Sequence, residues 1–240
     1  EGLLLDVYYK WADSTEKAPS LRLFIQNYAL SDDLNPLIVH PDHPFTDLDR
    51  KVIKALSHAM KYDKDTTDII GFIKKRVQSK NALTFKPAWL QSVLTLCTFS
   101  INGIEDATTY EKIAEYYKQK YAVLDTAMRK IYVAWLNDES TLRPLQEYYT
   151  IFNKVLLTKW YSTGLPYQPS QQDLVKQLLA DDKRTAVIVC DGLRLEIAES
   201  IVANVTDRNI DITRNTAFAV LHSVTENGMS ALFGCNEPTI

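Results

Sequence analysis

Residues 187–201 read VIVCDGLRLEIAESI. With Thr185 and Ala186 before it, the run TAVIVC (185–190) is continuous, rich in β-branched residues and too short for a helix. That is the pattern of a strand covered on both faces in a parallel sheet. The run stops on Asp191 and Gly192, after which apolar residues recur at helical spacing. Leu193, Ile197, Ile201 and Val205 share one face of a helix predicted over 193–205. Asp191 thus falls at the carboxyl end of a strand and just before a helix, where open α/β sheets hold their ligands. Further on, NIDIT (209–213) alternates as a strand should, NTAFAVL (215–221) extends or crosses it, and TENGMSALF (225–233) reads as a second short helix. The order strand, helix, strand, helix predicts an α/β domain.

Upstream of residue 184 the pattern is different. Apolar residues recur at three and four, predicting about seven helices. They include PSLRLFIQNYAL (19–30), FTDLDRKVIKALSHAM (45–60) with Thr46 as N-cap, TTDIIGFIKKRV (66–77) and PAWLQSVLTLCTF (87–99) with Pro87 in its first turn. Two long helices follow at 108–136 and 141–161, the first carrying a stripe of Tyr117, Tyr121, Leu124, Met128, Ile131 and Trp135 wide enough to pack on a neighbour. Gly164, Pro166 and Pro169 make 162–171 a connection, and QQDLVKQLLADD (171–182) is one more helix. The fold class expected is mixed: an all-α region over 1–165, then the first part of an α/β domain over 166–240.

Composition narrows the function. The chain has 240 residues, 46% of them apolar, enough for a sizeable core. A net charge of −3 with no polybasic stripe argues against a dedicated nucleic-acid binder. Lysines and tyrosines interleave at 110–121, a pattern that on a helix describes a core face backed by a solvated one. Cys97, Cys190 and Cys235 are widely spaced and odd in number, which fits reduced core thiols and a cytoplasmic location. No secretory leader and no apolar run of membrane-spanning length is readable. His40 and His43, set between prolines in VHPDHPF (39–45), read as a solvated loop rather than a metal site.

The candidate chemistry lies in two places. Asp191 is either a metal or phosphate ligand or the cap of the following helix. Gly192 lets a backbone or ligand come close. Arg194, in the first turn of the predicted helix, opposes the helix dipole and calls for a compensating partner, an ion pair or an anionic ligand. A haloacid-dehalogenase site would have a second acid where Leu193 stands, and a dinucleotide fold would have a glycine-rich turn; neither is present. In HSVTENGMSALFG (222–234), Ser223 and Glu226 form a Ser-x-x-Glu capping box. The helix start it makes also aims backbone N–H groups at the Thr225 hydroxyl, as the stabilisation of an alkoxide or phosphate requires. Gly228 within this helix costs up to ~1 kcal/mol against alanine, which points to close approach by a backbone or ligand.

These two segments together resemble the PglZ domain. The first is a strand ending in Asp-Gly/Ala-Leu-Arg-x-Glu-x-Ala, here VIVCDGLRLEIAE (187–199); the second is Ser-x-Thr-x-x-Gly-Met-x-Ala-Leu, here SVTENGMSAL (223–232). That family belongs to the alkaline phosphatase superfamily and includes the PglZ proteins of bacterial phage-exclusion (BREX) systems. The resemblance implies a metal-dependent phosphohydrolase, with Asp191 as ligand to one of two metals, usually zinc, and Thr225 as a hydroxyl that bridges toward the metals and attacks phosphorus. Arg194 then contacts substrate or braces the motif, and Gly228 gives structural support. The partners implied are a phosphoester substrate and other defence-system proteins, with nucleic acid associated indirectly and no membrane. His222 stands where the family commonly has proline; it could donate a third ligand, although a lone histidine beside a capping box is more often structural or exposed. Zinc takes about four ligands, so the two-metal site is expected to be completed by residues beyond this chain, which reads as an N-terminal piece of the enzyme. The alternative reading is a non-catalytic scaffold whose helical region docks partners.

Overall fold

The computed structural model describes residues 10, 19–79, 87–164, 166–180, 184–206, 209–222 and 224–234. The chain divides into two compact units, Glu1–Thr108 with Lys112–Ser162, and Thr109–Glu111 with Thr163–Ile240.

The first unit is helical, as the apolar spacing predicts. Its elements are α1 (Pro19–Asn27), α2 (Asp47–Lys61), α3 (Thr67–Gln78), α4 (Ala88–Thr98), α5 (Tyr110–Tyr116, of which Lys112 onward belongs to this unit), α6 (Ala122–Trp135) and α7 (Glu139–Tyr161), with a 3-10 turn at Pro36–Ile38. The broadest helix pairs are α4 with α6 and α2 with α7. One core joins Leu48, Val52, Ile53 and Leu56 of α2, Phe72 and Ile73 of α3, Leu90, Val93 and Leu96 of α4, and Leu142 and Leu145 of α7. From the predicted stripe Tyr121, Leu124, Met128, Ile131 and Trp135 are all buried in it. Each such side chain contributes about 1.5–3 kcal/mol by leaving water.

The helix predicted over 108–136 carries a π turn at Tyr117–Tyr121 between α5 and α6. The wide turn takes up an extra residue. Tyr117 therefore meets Asp125, 8 positions on, where an unbroken α-helix would align a residue 7 on. Tyr149 from α7 donates to the same carboxylate at 2.6 Å. Pro144, buried inside α7, cannot donate to the Ser140 carbonyl. The buried Ser57 hydroxyl compensates, donating to Thr141 O at 2.8 Å with Ser140 O alongside at 3.4 Å. Asp138 caps α7 by accepting from Thr141 N. Although burial pushes its pKa up, the hydrogen bonds from Ser140 and Thr141 and the nearby Lys54 hold that carboxyl below its ordinary value.

Two local expectations shift. Thr46 does stand at the N-cap of α2, but its hydroxyl donates to Gln26 O at 3.0 Å instead of capping the helix. Pro87 is the N-cap of α4, one position before the first turn.

The VHPDHPF loop is not simply solvated. Arg76, 3% exposed, pairs with Asp49, 1% exposed, through Nε–Oδ1 at 2.7 Å and Nη2–Oδ2 at 3.1 Å. Its remaining donors reach Pro41 O at 2.7 Å, His43 O, and Phe45 O at 3.4 Å. A buried guanidinium with five donors must place them all, and the loop's carbonyls are where they go. Burial, and secondarily the Arg76 charge, lower the pKa of His43 to about 4.

The second unit holds α8 (Gln171–Leu179), α9 (Leu195–Asn204) and α10 (Thr225–Leu232), with α8 packed on α10. Here the strand expectations fail. Among the described residues neither 185–190 nor 209–213 forms a strand, so the α/β arrangement is not seen. A parallel strand exists only through ladder partners and covering layers, and among the described residues these apolar side chains are not covered: Ile188 is 85% exposed, and Ile210 and Ile212 are exposed too. The apolar face of the helix predicted over 193–205 is likewise uncovered, with Leu193, Ile197, Ile201 and Val205 all exposed. No helix among the described residues is long and apolar enough to cross a membrane.

Candidate functional site

Asp191 is placed by a tight turn. Leu193 N donates to Cys190 O at 3.5 Å, and Gly192 has φ +68°. A positive φ at the third residue of a four-residue turn is the type II pattern, which disfavours any side chain at that position. Asp191 occupies the second position, and its exposed carboxylate projects from the turn. The helix that follows starts two residues later than its apolar spacing predicts. Arg194 is the N-cap of α9, in extended conformation, and its carbonyl accepts from Ile197 N at 3.0 Å and Ala198 N at 3.1 Å. Its side chain therefore leaves from the N-cap and not from the first turn. Among the described residues Arg194 forms no ion pair, so of the two compensating partners proposed for it the structural pair is not made.

Thr225 is the first residue of α10, behind Val224 in extended conformation at the N-cap. The expected capping box includes Ser223, which lies outside the described residues; among the described residues no side chain caps α10. Its first-turn N–H groups, which lack intrahelical acceptors, gather around the Thr225 backbone.

The turn and the helix start converge. Thr225 Oγ1 donates to Asp191 Oδ2 at 2.9 Å across a sequence separation of 34 residues. The two residues singled out from sequence thus face each other, and both are exposed. A carboxylate that accepts a hydroxyl proton in a hydrogen bond orients that hydroxyl and makes it a better nucleophile.

The other candidates are not drawn in. His222 is exposed; its carbonyl accepts from Val224 N at 2.8 Å and Asn227 Nδ2 at 3.2 Å, and its imidazole joins no cluster. Among the described residues no group of three or more His, Cys, Asp or Glu could hold a metal ion. Asp191 and Thr225 fit as part of a metal site, a carboxylate and a hydroxyl oxygen near enough to share one ion, but as two donors they fall short of the four zinc takes. The close approach expected at Gly228 is not seen: a Cβ built there meets nothing within 4 Å. Close approach falls instead at Gly234, φ +85°, where a Cβ would run into the Gln172 side chain. Of the cysteines, Cys97 is a core thiol whose pKa burial raises to about 12, Cys190 is exposed, and Cys235 lies outside the described residues.

Sequence reasoning missed the residues that hold this arrangement. Ser170 and Gln171 bond to the segment leading to α10, and their polar side chains at a helix start carry no signal beyond capping. No curated protein and no solved structure matches the chain. Residues 171–240, the segment that carries Asp191, Thr225 and the helices presenting them, match the family model of the BREX system PglZ alkaline phosphatase-like domain.

Proposed function

We propose that the protein is a metal-dependent phosphohydrolase, a phosphatase or phosphodiesterase, of an anti-phage defence system. Thr225 is its nucleophile and Asp191 a metal ligand. The single observation that carries the reading is the 2.9 Å hydrogen bond from Thr225 Oγ1 to Asp191 Oδ2, formed inside the segment that matches the PglZ family. The organisation proposed with it is a helical domain over 1–165 and, over 166–240, part of an α/β phosphatase-like domain in which TAVIVC pairs as a strand. Other defence-system proteins are the partners this family membership suggests.

Asp191 and Thr225 would hold the metal, zinc being the one proposed, with further donors to complete its coordination. When bound, such a dication lowers the pKa of a coordinated hydroxyl and neutralises phosphate charge. The residues do the rest. Asp191 fixes the direction of the Thr225 hydroxyl and accepts its proton's hydrogen bond. The first-turn N–H groups of α10, which have no intrahelical acceptor, and its positive end favour an anion beside Thr225. Arg194, exposed and without an ion pair among the described residues, is available to a phosphate oxygen. In the intact protein, hydrolysis of bis(p-nitrophenyl) phosphate with added Zn²⁺ should be abolished by Thr225→Ala with folding retained; a retained rate refutes the assignment.

A second reading, a partner-docking scaffold, is favoured by exposed apolar residues on α7: Ile151 at 57%, Val155 at 39% and Tyr161 at 78%. It predicts that a protein carrying Thr225→Ala still co-purifies with its defence-system partner while Ile151→Glu with Val155→Glu does not.

A further inference from the structure

No residue of α10 is buried, and the helix has only 8 residues, with Val224, whose side chain cannot cap, at its N-cap. A helix so short is marginal by itself, so the position of Thr225 depends on what tethers α10. The tethers come from the entry to α8. Ser170 N and Gln171 N donate to Phe218 O at 2.9 and 3.2 Å, and Phe218 N donates back to Ser170 Oγ at 3.0 Å. Tyr167 OH donates to Ala219 O, and its ring meets Phe218 edge-on at 5.8 Å. These bonds fix the chain just before Thr225. Gln171 Nε2 then donates to Gly228 O at 2.8 Å, within α10 itself. The carbonyl has a second lone pair, so this bond adds to the helix's own.

Resting on the reading of Thr225 as nucleophile, we propose that Gln171 is a positioning residue. Its amide holds α10 in the orientation that points Thr225 Oγ1 at Asp191. Gln171 touches neither of those side chains; it acts through the Gly228 carbonyl. The hydrogen bonds of 167–171 locate the start of α10, and the Gln171 amide sets its rotation.

The test compares Gln171→Glu and Gln171→Arg in the intact protein. Glu has the same length and, at the first position of α8, favours that helix's dipole. It cannot donate to Gly228 O. Any loss therefore comes from the contact with Gly228 O, where an attraction becomes a repulsion between two oxygens, and not from a weakened α8. Arg restores a donor with reach. With bis(p-nitrophenyl) phosphate and Zn²⁺, Gln171→Glu is expected to lower kcat by roughly ten- to a hundredfold, the scale of a small misplacement of a reacting group, with KM changed by no more than about twofold. Amide exchange within 225–232 should accelerate, and Gln171→Arg should recover both. Unchanged kcat and unchanged exchange in Gln171→Glu, or no recovery in Gln171→Arg, overturns the proposal. Thr225→Ala separates the two claims. If that variant keeps its rate, the nucleophile assignment fails, and the exchange measurement still decides whether Gln171 holds α10.

Discussion

The buried pair of Arg76 and Asp49 offers a demanding test of the helical unit's packing. Asp49→Ala removes both carboxylate contacts, at 2.7 and 3.1 Å, from a guanidinium that is 3% exposed. Breaking a buried ion pair from one side costs about 3–5 kcal/mol. The carbonyls of Pro41, His43 and Phe45 still satisfy part of Arg76, which places Asp49→Ala near the low end, about 3 kcal/mol. Arg76→Ala strands the Asp49 carboxylate and also takes a donor from each of those carbonyls, of which Phe45 O keeps Leu48 N at 3.1 Å, so it should cost more, about 4–5 kcal/mol. Replacing both together, Asp49→Leu with Arg76→Met, leaves no unpaired charge and should cost less than Arg76→Ala alone. Urea denaturation followed by indole fluorescence measures this. Trp89, Trp135 and Trp160 belong to the first unit and residues 163–240 contain no tryptophan, so the second unit adds nothing to the signal. A cost below about 1 kcal/mol for Asp49→Ala, or a double-replacement cost equal to the sum of the single ones, would refute the reasoning.

His43, with a folded pKa of about 4 against an ordinary 6.5, is held neutral. The folded state binds fewer protons than the unfolded one between those values, so the contribution is whole above pH 6.5 and lost as pH falls through about 4. His43 is partly exposed, and screening limits the effect to ~1 kcal/mol; His43→Gln should flatten the stability profile over that range, as urea midpoints against pH would show. The glycines of the second unit should behave oppositely. Gly192→Ala should cost about 1–2 kcal/mol because of its positive φ, whereas Gly228→Ala should stabilise by up to ~1 kcal/mol, being open and helical; amide exchange in α9 and α10 distinguishes them.

What was legible in the sequence depended on where the controlling interactions lie. The helical half was readable because its core is built from faces such as Leu124, Met128, Ile131 and Trp135, whose spacing alone specifies burial. The π turn was not readable, since Tyr117 and Tyr121 fit the α period well enough and the displacement appears only when Asp125 is met. The inward pull on VHPDHPF was hidden because its cause, Arg76, is an ordinary polar position in a helical pattern. Asp191 and Thr225 could be paired because the resemblance to the PglZ domain implies a shared metal; local pattern placed each at the start of a helix and did not join them. The later start of α9 could not: Leu193 fits the helical period, and the turn at Gly192 takes it out of the helix. The strand at 185–190 shows the limit of local pattern. A β-branched run states a preference, and a sheet is a property of several segments at once.

The central claim is that Asp191 and Thr225 act as one unit. Its most direct test is a double-mutant cycle on kcat/KM for bis(p-nitrophenyl) phosphate with Zn²⁺, using Asp191→Ala, Thr225→Ala and the combined variant. Residues that work together are strongly non-additive, so the combined variant should be no slower than the slower single one. Losses that multiply, or a Thr225→Ala enzyme that keeps the parent's rate, would contradict the account.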